Sequence, residues 1–135
     1  MVFASINNLS KNKEIRDIQI ADTVGALTKG LMFKKKGRML LSFHFCARHG
    51  IWMFCMKFPL DLVFIDKNKK IINIVEDAKP ISWNPKTWKL YYPKKRCRHV
   101  LEVEAGFAKK AGYKPGDVVE ITQETGHQRP VLCFL

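Results

Sequence analysis

The chain has 135 residues, which is the size of one domain, and a chain this long buries roughly 65–70% of its unfolded surface without help from a disulfide or a metal. Its 47% hydrophobic and 27% charged residues match a soluble globular protein, and no apolar run approaches the ~20 residues of a membrane-spanning helix. The excess of 24 Lys+Arg over 12 Asp+Glu gives a net charge of +12, which favours anionic partners through long-range attraction and counterion release.

The N-terminus, "MVFASINNLSKNKEIRD", lacks a basic start followed by an apolar stretch, so no secretory signal is expected and the predicted location is the cytoplasm. In that reducing compartment Cys46, Cys55, Cys97 and Cys133 are expected as free thiols. Residues 16–21, "RDIQIA", alternate with Ile18 and Ile20 on one face and predict a half-buried strand. A short helix near 23–29 follows, capped by Asp22 or Thr23 and ended by Gly30.

From Met39 the alternation is clean. Met39, Leu41, Phe43 and Phe45 face one way, and Leu40, Ser42, His44 and Cys46 the other. "ARHG" then reads as a turn, with Ile51–Lys57 returning as the second arm of a hairpin. Pro59 cannot donate to a ladder and breaks that run. Leu60–Ile65 and Ile71–Val75 form a second hairpin around "DKNKK". A long segment with three prolines carries a short edge strand near Trp88–Tyr92. Val100–Val103 is a strand, a short helix spans about 106–111, and Gly112 with Pro115 fits its glycine cap and stop. Val118–Thr122 is a further strand, and "ETGHQRPVLCFL" has room for one more. The expected fold is mainly β: a single compact antiparallel β-sandwich or small barrel with two short helices. One domain spans 1–135, with a core over about 18–122 and an extension at each end.

Three ordered groups of residues carry a family resemblance. They are "IADTVGALTKGLMF"; "WM" followed by "PLDLVFID"; and "VLEVEAGFAKKAGYKPGDVVEI". Together they resemble the domain-of-unknown-function 192 family, whose members show Gly-Leu-Met, Trp-Met, Pro-Leu-Asp, a Leu-Glu strand and a Gly-Asp turn in that order. The matching positions are Gly30, Leu31 and Met32; Trp52 and Met53; Pro59, Leu60 and Asp61; Leu101, Glu102 and Gly106; and Gly116 and Asp117. Many members have Lys-Asn-Thr after Trp-Met, where this chain has Phe54, Cys55 and Met56. The resemblance implies a compact, mainly β domain and no particular activity.

Asp61 sits alone inside "WMFCMKFPLDLVFID", which ends on Asp66. It either ties down backbone near Pro59 or places a polar group in a ligand pocket walled by Trp52. His44, Cys46, His49 and Cys55, with Cys97 and His99 further on, have soft-ligand chemistry but lack the paired cysteines of a structural zinc knuckle. The loop "SWNPKTWKLYYPKKRCRH" mixes Trp83, Trp88, Tyr91 and Tyr92 with lysines and arginines, the composition of a base-stacking, phosphate-neutralising surface. It equally suits a loop folded over an open end of the barrel.

Three functions follow. The favoured one is a non-enzymatic ligand-binding module for a small molecule, glycan or peptide, with Trp52, Asp61, His44, Trp83 and Trp88 as candidate ligand-binding residues. The alternative is a basic nucleic-acid-binding domain, with Lys94, Lys95, Arg96 and Arg98 on phosphates, whose expected partner is weakly held nucleic acid or another polyanion. The third is a His/Cys metalloprotein or enzyme. No catalytic residue, metal or cofactor is expected.

Overall fold

The computed structural model describes residues 2–23, 26, 27, 30–32 and 34–124. About half of these lie in strands. The strands are β1 (Phe3–Asn8), β2 (Lys13–Ala21), β3 (Met39–Ala47), β4 (Ile51–Trp52), β5 (Leu60–Ile65), β6 (Ile71–Ala78), β7 (Leu90–Tyr91), β8 (Cys97–Glu104) and β9 (Val119–Glu124). A 3-10 turn covers Pro85–Thr87, and helix α1 covers Phe107–Lys110.

Seven strands form one sheet in the order β6-β5-β8-β3-β2-β1-β9. The sheet curls until its two ends meet: Lys70, before β6, bridges Val118, before β9, and the Val119 N–H donates to the Lys69 carbonyl at 2.9 Å or less. The expectation of a sandwich or small barrel therefore holds at its coarser level, as a mainly β chain built on one curled sheet. The remaining two strands, β4 and β7, make a separate small sheet.

Strand alternation distributes the apolar residues to the two faces of the large sheet. Every residue of β5 is buried. Leu60, Leu62 and Phe64 join a first core with Met39, Leu41 and Val100, covered by Leu31, Ile51 and Met53. Val63 and Ile65 join a second core with Ile6, Ile18, Leu40, Leu101 and Val103, closed by Ala108 and Tyr113 around α1. Burying apolar surface on both faces explains why β5 reads as a nearly continuous apolar run.

Several expectations need correction. Residues 39–46 and 51–57 do not form a hairpin. β3 pairs antiparallel with β8 (Leu40 opposite Leu101) and parallel with β2 (Ile20 opposite Leu40). The second arm is too short to compete, because the chain turns at Phe54–Cys55 with Cys55 at φ 57, and β4 pairs only with β7. The sheet is thus not antiparallel throughout; the long 22–38 connection carries the chain back to run parallel. β1 was not expected, since its buried Ser5 and Asn8 disguise the alternation. The helix near 106–111 is present as α1. Of the helix expected over 23–29, Ala26 and Leu27 are helical, and residues 24, 25, 28 and 29 lie outside the described residues. The strand expected in the tail, and Cys133 with it, also lies outside them from residue 125 on.

Two buried polar groups tie the fold together. The Asn8 side-chain Nδ2 donates to Asp117 Oδ2 at 3.0 Å, while its side-chain Oδ1 accepts from the N–H groups of Ser10 and Lys11. Lys11 and the Lys114 N–H complete the shell of Asp117, joining the end of β1 to the turn before β9. Asp61 does the equivalent where β5, β6 and α1 meet.

Candidate functional site

Strand parity sends Asp61 and Glu102 to opposite faces. On β5, Asp61 shares its face with Val63 and Ile65, toward α1. It is 0% exposed. Its Oδ2 accepts from the N–H groups of Gly106 and Ala108, both at 3.0 Å, and its Oδ1 accepts from the Asp77 N–H at 2.9 Å. Asp77 sits at a bulge in β6, where the register against β5 shifts between Leu60 and Leu62 and φ is 57. A bulge frees an N–H from the ladder, and Asp61 takes it. Gly106, at φ 94, turns the chain so that both α1 donors reach one oxygen. The donors come from β6 and α1 rather than from the bend at Pro59.

On β8, Glu102 shares its face with Val100, in the first core. Its cross-strand neighbours are Met39 and Leu62, neither of which donates a hydrogen bond. It is 5% exposed, and its Oε1 has no hydrogen-bond partner among the described residues. Burial pushes this carboxyl from its usual 4.5 up to about 8. It opens onto a cavity of about 240 Å³ lined by Gly30, Leu31, Met32, Leu41, Phe43, Ile51, Trp52 and Met56, among others. Gly30 lies at φ 51, and a Cβ there would stand 3.5 Å from Glu102 Oε1, so the backbone of the 30–32 segment passes close over the carboxyl. Trp52 sits at the rim, half-exposed and stacked on Phe54 with ring centroids 5.2 Å apart.

The other expected site residues fall elsewhere. Trp52, Trp83 and Trp88 come together with Phe54 and Ile81 around a shallow depression. Trp83 is 96% exposed, whereas Trp88 is held by its indole N–H donating to the Ser82 carbonyl. The aromatic loop thus leaves Trp83, Trp88 and Tyr92 at the surface, while Tyr91 packs against the first core. His44 lies at the surface with Nε2 2.6 Å from the Asp22 carbonyl oxygen. Lys95 and Arg96 line a different cleft, Arg98 donates to the Phe43 carbonyl at 2.7 Å, and the exposed Lys94 gives its backbone N–H to Asn73.

His49 stacks on Phe43 at 3.7 Å, and His99 meets Ser42 at 2.9 Å. Burial, with Lys69 and Arg98 nearby, pushes His99 down to about 4. Among the described residues no three His, Cys, Asp or Glu side chains gather as a metal site would require. Glu102 was not singled out as a site residue. Its signal was present, an acid between Leu101 and Val103 on the same face as Val100, but β8 had to be placed centrally before that acid could be known to be buried.

Among the described residues no helix is long and apolar enough to cross a membrane. A UPF0127 protein of Pyrococcus furiosus is 28% identical over 121 residues, covering 84% of this chain and 94% of its own. A UPF0127 protein of Pyrococcus horikoshii is 28% identical over 123 residues, covering 89% and 97%. The fold is similar to a crystal structure of a "putative transcription regulator" from Sinorhizobium meliloti, with a TM-score of 0.77 at 25% identity, covering 89% of this chain and 93% of that one. A protein of unknown function from Novosphingobium aromaticivorans gives a TM-score of 0.73 at 25% identity, covering 87% and 83%. The family model described as Uncharacterized ACR matches residues 6–121, and with it the chain belongs to the domain-of-unknown-function 192 family.

Proposed function

We propose that this protein is a non-enzymatic binding module whose site is the cavity around Glu102. One observation carries the reading. Residues far apart in sequence, Gly30 to Met32, Trp52 and Glu102, converge on one cavity whose wall contains a buried carboxyl oxygen, Glu102 Oε1, without a partner among the described residues. Leaving such a group unpaired costs about 1–3 kcal/mol, and a ligand that pairs with it recovers that energy. At about 240 Å³ the cavity lies just below the ~300–1,000 Å³ typical of ligand pockets, so the ligand has a compact apolar body. With its carboxyl pushed to about 8, Glu102 is largely protonated at neutral pH and offers an O–H donor beside an acceptor oxygen. The matching head group is a single carbonyl, amide or hydroxyl.

Native mass spectrometry of the untagged protein tests for a retained small molecule. A library of small alcohols, amides and ketones can be screened in parallel by ligand-observed NMR. Hits are expected to shift the Trp52 indole resonance and to be lost in Trp52→Ala and Glu102→Leu. Hits that bind both variants as tightly as the parent protein would refute the assignment.

The alternative of nucleic-acid binding rests on a separate observation, the wholly exposed Trp83 beside Trp52 and Trp88 on a chain of net charge +12. Exposed aromatic faces stack on bases without sequence preference.

A further inference from the structure

Away from the Glu102 cavity, three connections meet around a second cleft of about 550 Å³. The β3–β4 connection supplies Arg48, the β5–β6 turn supplies Lys67, and the connection before β8 supplies Lys95 and Arg96. From this convergence we propose that the cleft is a binding site for a phosphate group, with these four side chains as its cations.

None of the four forms an ion pair among the described residues, where the ion pairs use Lys11, Arg16, Arg38 and Lys79. Gathering four like charges from three segments with no ion pair to any of them among the described residues is unfavourable, and a bound anion relieves it. The cleft does hold one acid, Asp66. Its Oδ1 accepts from the N–H groups of Asn68 and Lys70 at 2.8 and 3.0 Å, so it shapes the turn that carries Lys67. One carboxylate against four cations leaves the cleft strongly positive.

Two of the cations are also fixed in place. Arg48 Nε donates to the Pro93 carbonyl at 3.0 Å, and Arg96 Nη2 donates to the Cys46 carbonyl at 3.0 Å. Each anchor uses one N–H and leaves the others of the guanidinium fork for a ligand. Anchored arginines lose less side-chain freedom on binding than free ones, and their planar forks match phosphate oxygens. Lys67 and Lys95 act as mobile point charges on the same ligand.

The cleft and the Glu102 cavity share no lining residue, so the two proposals stand or fall separately. Tripolyphosphate is the first probe, titrated into the full chain at low salt and followed by amide NMR shifts. The charge-removing variant is Lys67→Gln/Lys95→Gln, at two exposed positions with no ion pair. The control is Lys109→Gln/Lys110→Gln, which removes the same charge from α1. Shifts are expected at Lys67, Asn68, Lys95 and Arg96. The cleft variant should bind about tenfold more weakly or worse, because it removes short-range attraction, and the control less than about twofold, because salt screens distant charges.

Oligo(dT) of twelve nucleotides separates the sources of the phosphate. An equal loss of oligonucleotide binding in the cleft variant assigns the site to a nucleic-acid backbone. Tripolyphosphate binding that the oligonucleotide does not displace assigns it to a free phosphate compound. Shifts spread over every basic surface, or equal weakening by both double variants, would overturn the proposal in favour of diffuse attraction by the net charge.

Discussion

Replacing Glu102 by glutamine keeps the side chain's shape and removes its titration. In the unfolded chain the carboxyl ionises near 4.5, and in the folded protein burial holds it protonated up to about 8. The folded pKa is raised, so its favourable contribution is complete below pH 4.5 and is lost as pH rises to 8. Between those limits folding takes up close to one proton, and stability falls by about 1.4 kcal/mol per pH unit. At pH 7 the accumulated loss is about 3 kcal/mol, a large share of the ~5–15 kcal/mol of an ordinary domain.

Glu102→Gln escapes that loss. Relative to the parent protein it is expected to gain about 3 kcal/mol between pH 4.5 and pH 7 and to gain nothing further above about pH 8. Urea melts of both proteins at half-unit steps from pH 4.5 to 8.5 measure this as a difference of differences, so the cost of placing an amide in the cavity cancels. A gap between the two proteins that stays constant with pH would show Glu102 ionised and solvated in the fold. That result would remove both the buried acid and the neutral-ligand chemistry built on it.

Asp61→Ala strands the N–H groups of Asp77, Gly106 and Ala108; it should cost about 3 kcal/mol or more in a denaturant melt, with Asp61→Asn losing less because an amide oxygen still accepts. Burial works to raise the Asp117 carboxyl, but hydrogen bonds from Asn8, Lys11 and the Lys114 N–H outweigh it and hold the group below its usual 3.8. Its contribution is therefore present above pH 3.8 and lost as pH falls below, and Asp117→Asn should show a shallower acid limb than the parent protein when melts are compared between about pH 5 and pH 2. Trp83→Ala should leave the melt within ~0.5 kcal/mol of the parent, since the ring is exposed; if the aromatic surface stacks on single strands, the same change costs ~1–3 kcal/mol of oligonucleotide affinity by fluorescence titration.

Local pattern carried much of the fold, and pairing did not follow from it. Alternation located β3, the apolar run after Pro59 located β5, and the turn formers after Ile65 gave the β5–β6 hairpin. It could not say that β3 would lie between β2 and β8, because chain proximity favours a hairpin with the next apolar run. What decides against that hairpin is the left-handed turn at Cys55, a residue with no propensity signal for positive φ. For the sites, Trp52 was legible as an aromatic in an apolar run, and the basic residues 94–98 as a cluster. The division of that cluster was not. Arg98 turns to the Phe43 carbonyl while Lys95 and Arg96 meet Lys67 across a gap of some thirty residues in sequence, and only the fold brings them together.

The two acids of the matched motifs illustrate how to tell a structural carboxylate from one held for a ligand. Asp61 and Glu102 lie on neighbouring strands, β5 and β8, in adjacent register positions, since Asp61 faces Val103 and Leu62 faces Glu102. Both are nearly or wholly removed from solvent, and sequence alone gives each the same immediate setting, an acid flanked on both sides by apolar residues. Their surroundings differ in one respect. On the α1 side the bulge at Asp77 and the turn at Gly106 each release an N–H toward Asp61. On the other side regular pairing with β3 and β5 leaves Glu102 facing Met39 and Leu62, with Gly30 above it and space beyond. A carboxylate that accepts three backbone N–H groups has little left to offer a ligand, and its removal unpairs the fold. A buried carboxyl oxygen without a donor among the described residues weakens the fold by itself, and the proposed ligand would supply the missing partner. By that criterion the first acid holds the fold together, and the second is the one the proposed site would use. Stability and ligand retention should therefore separate cleanly between variants of Asp61 and variants of Glu102.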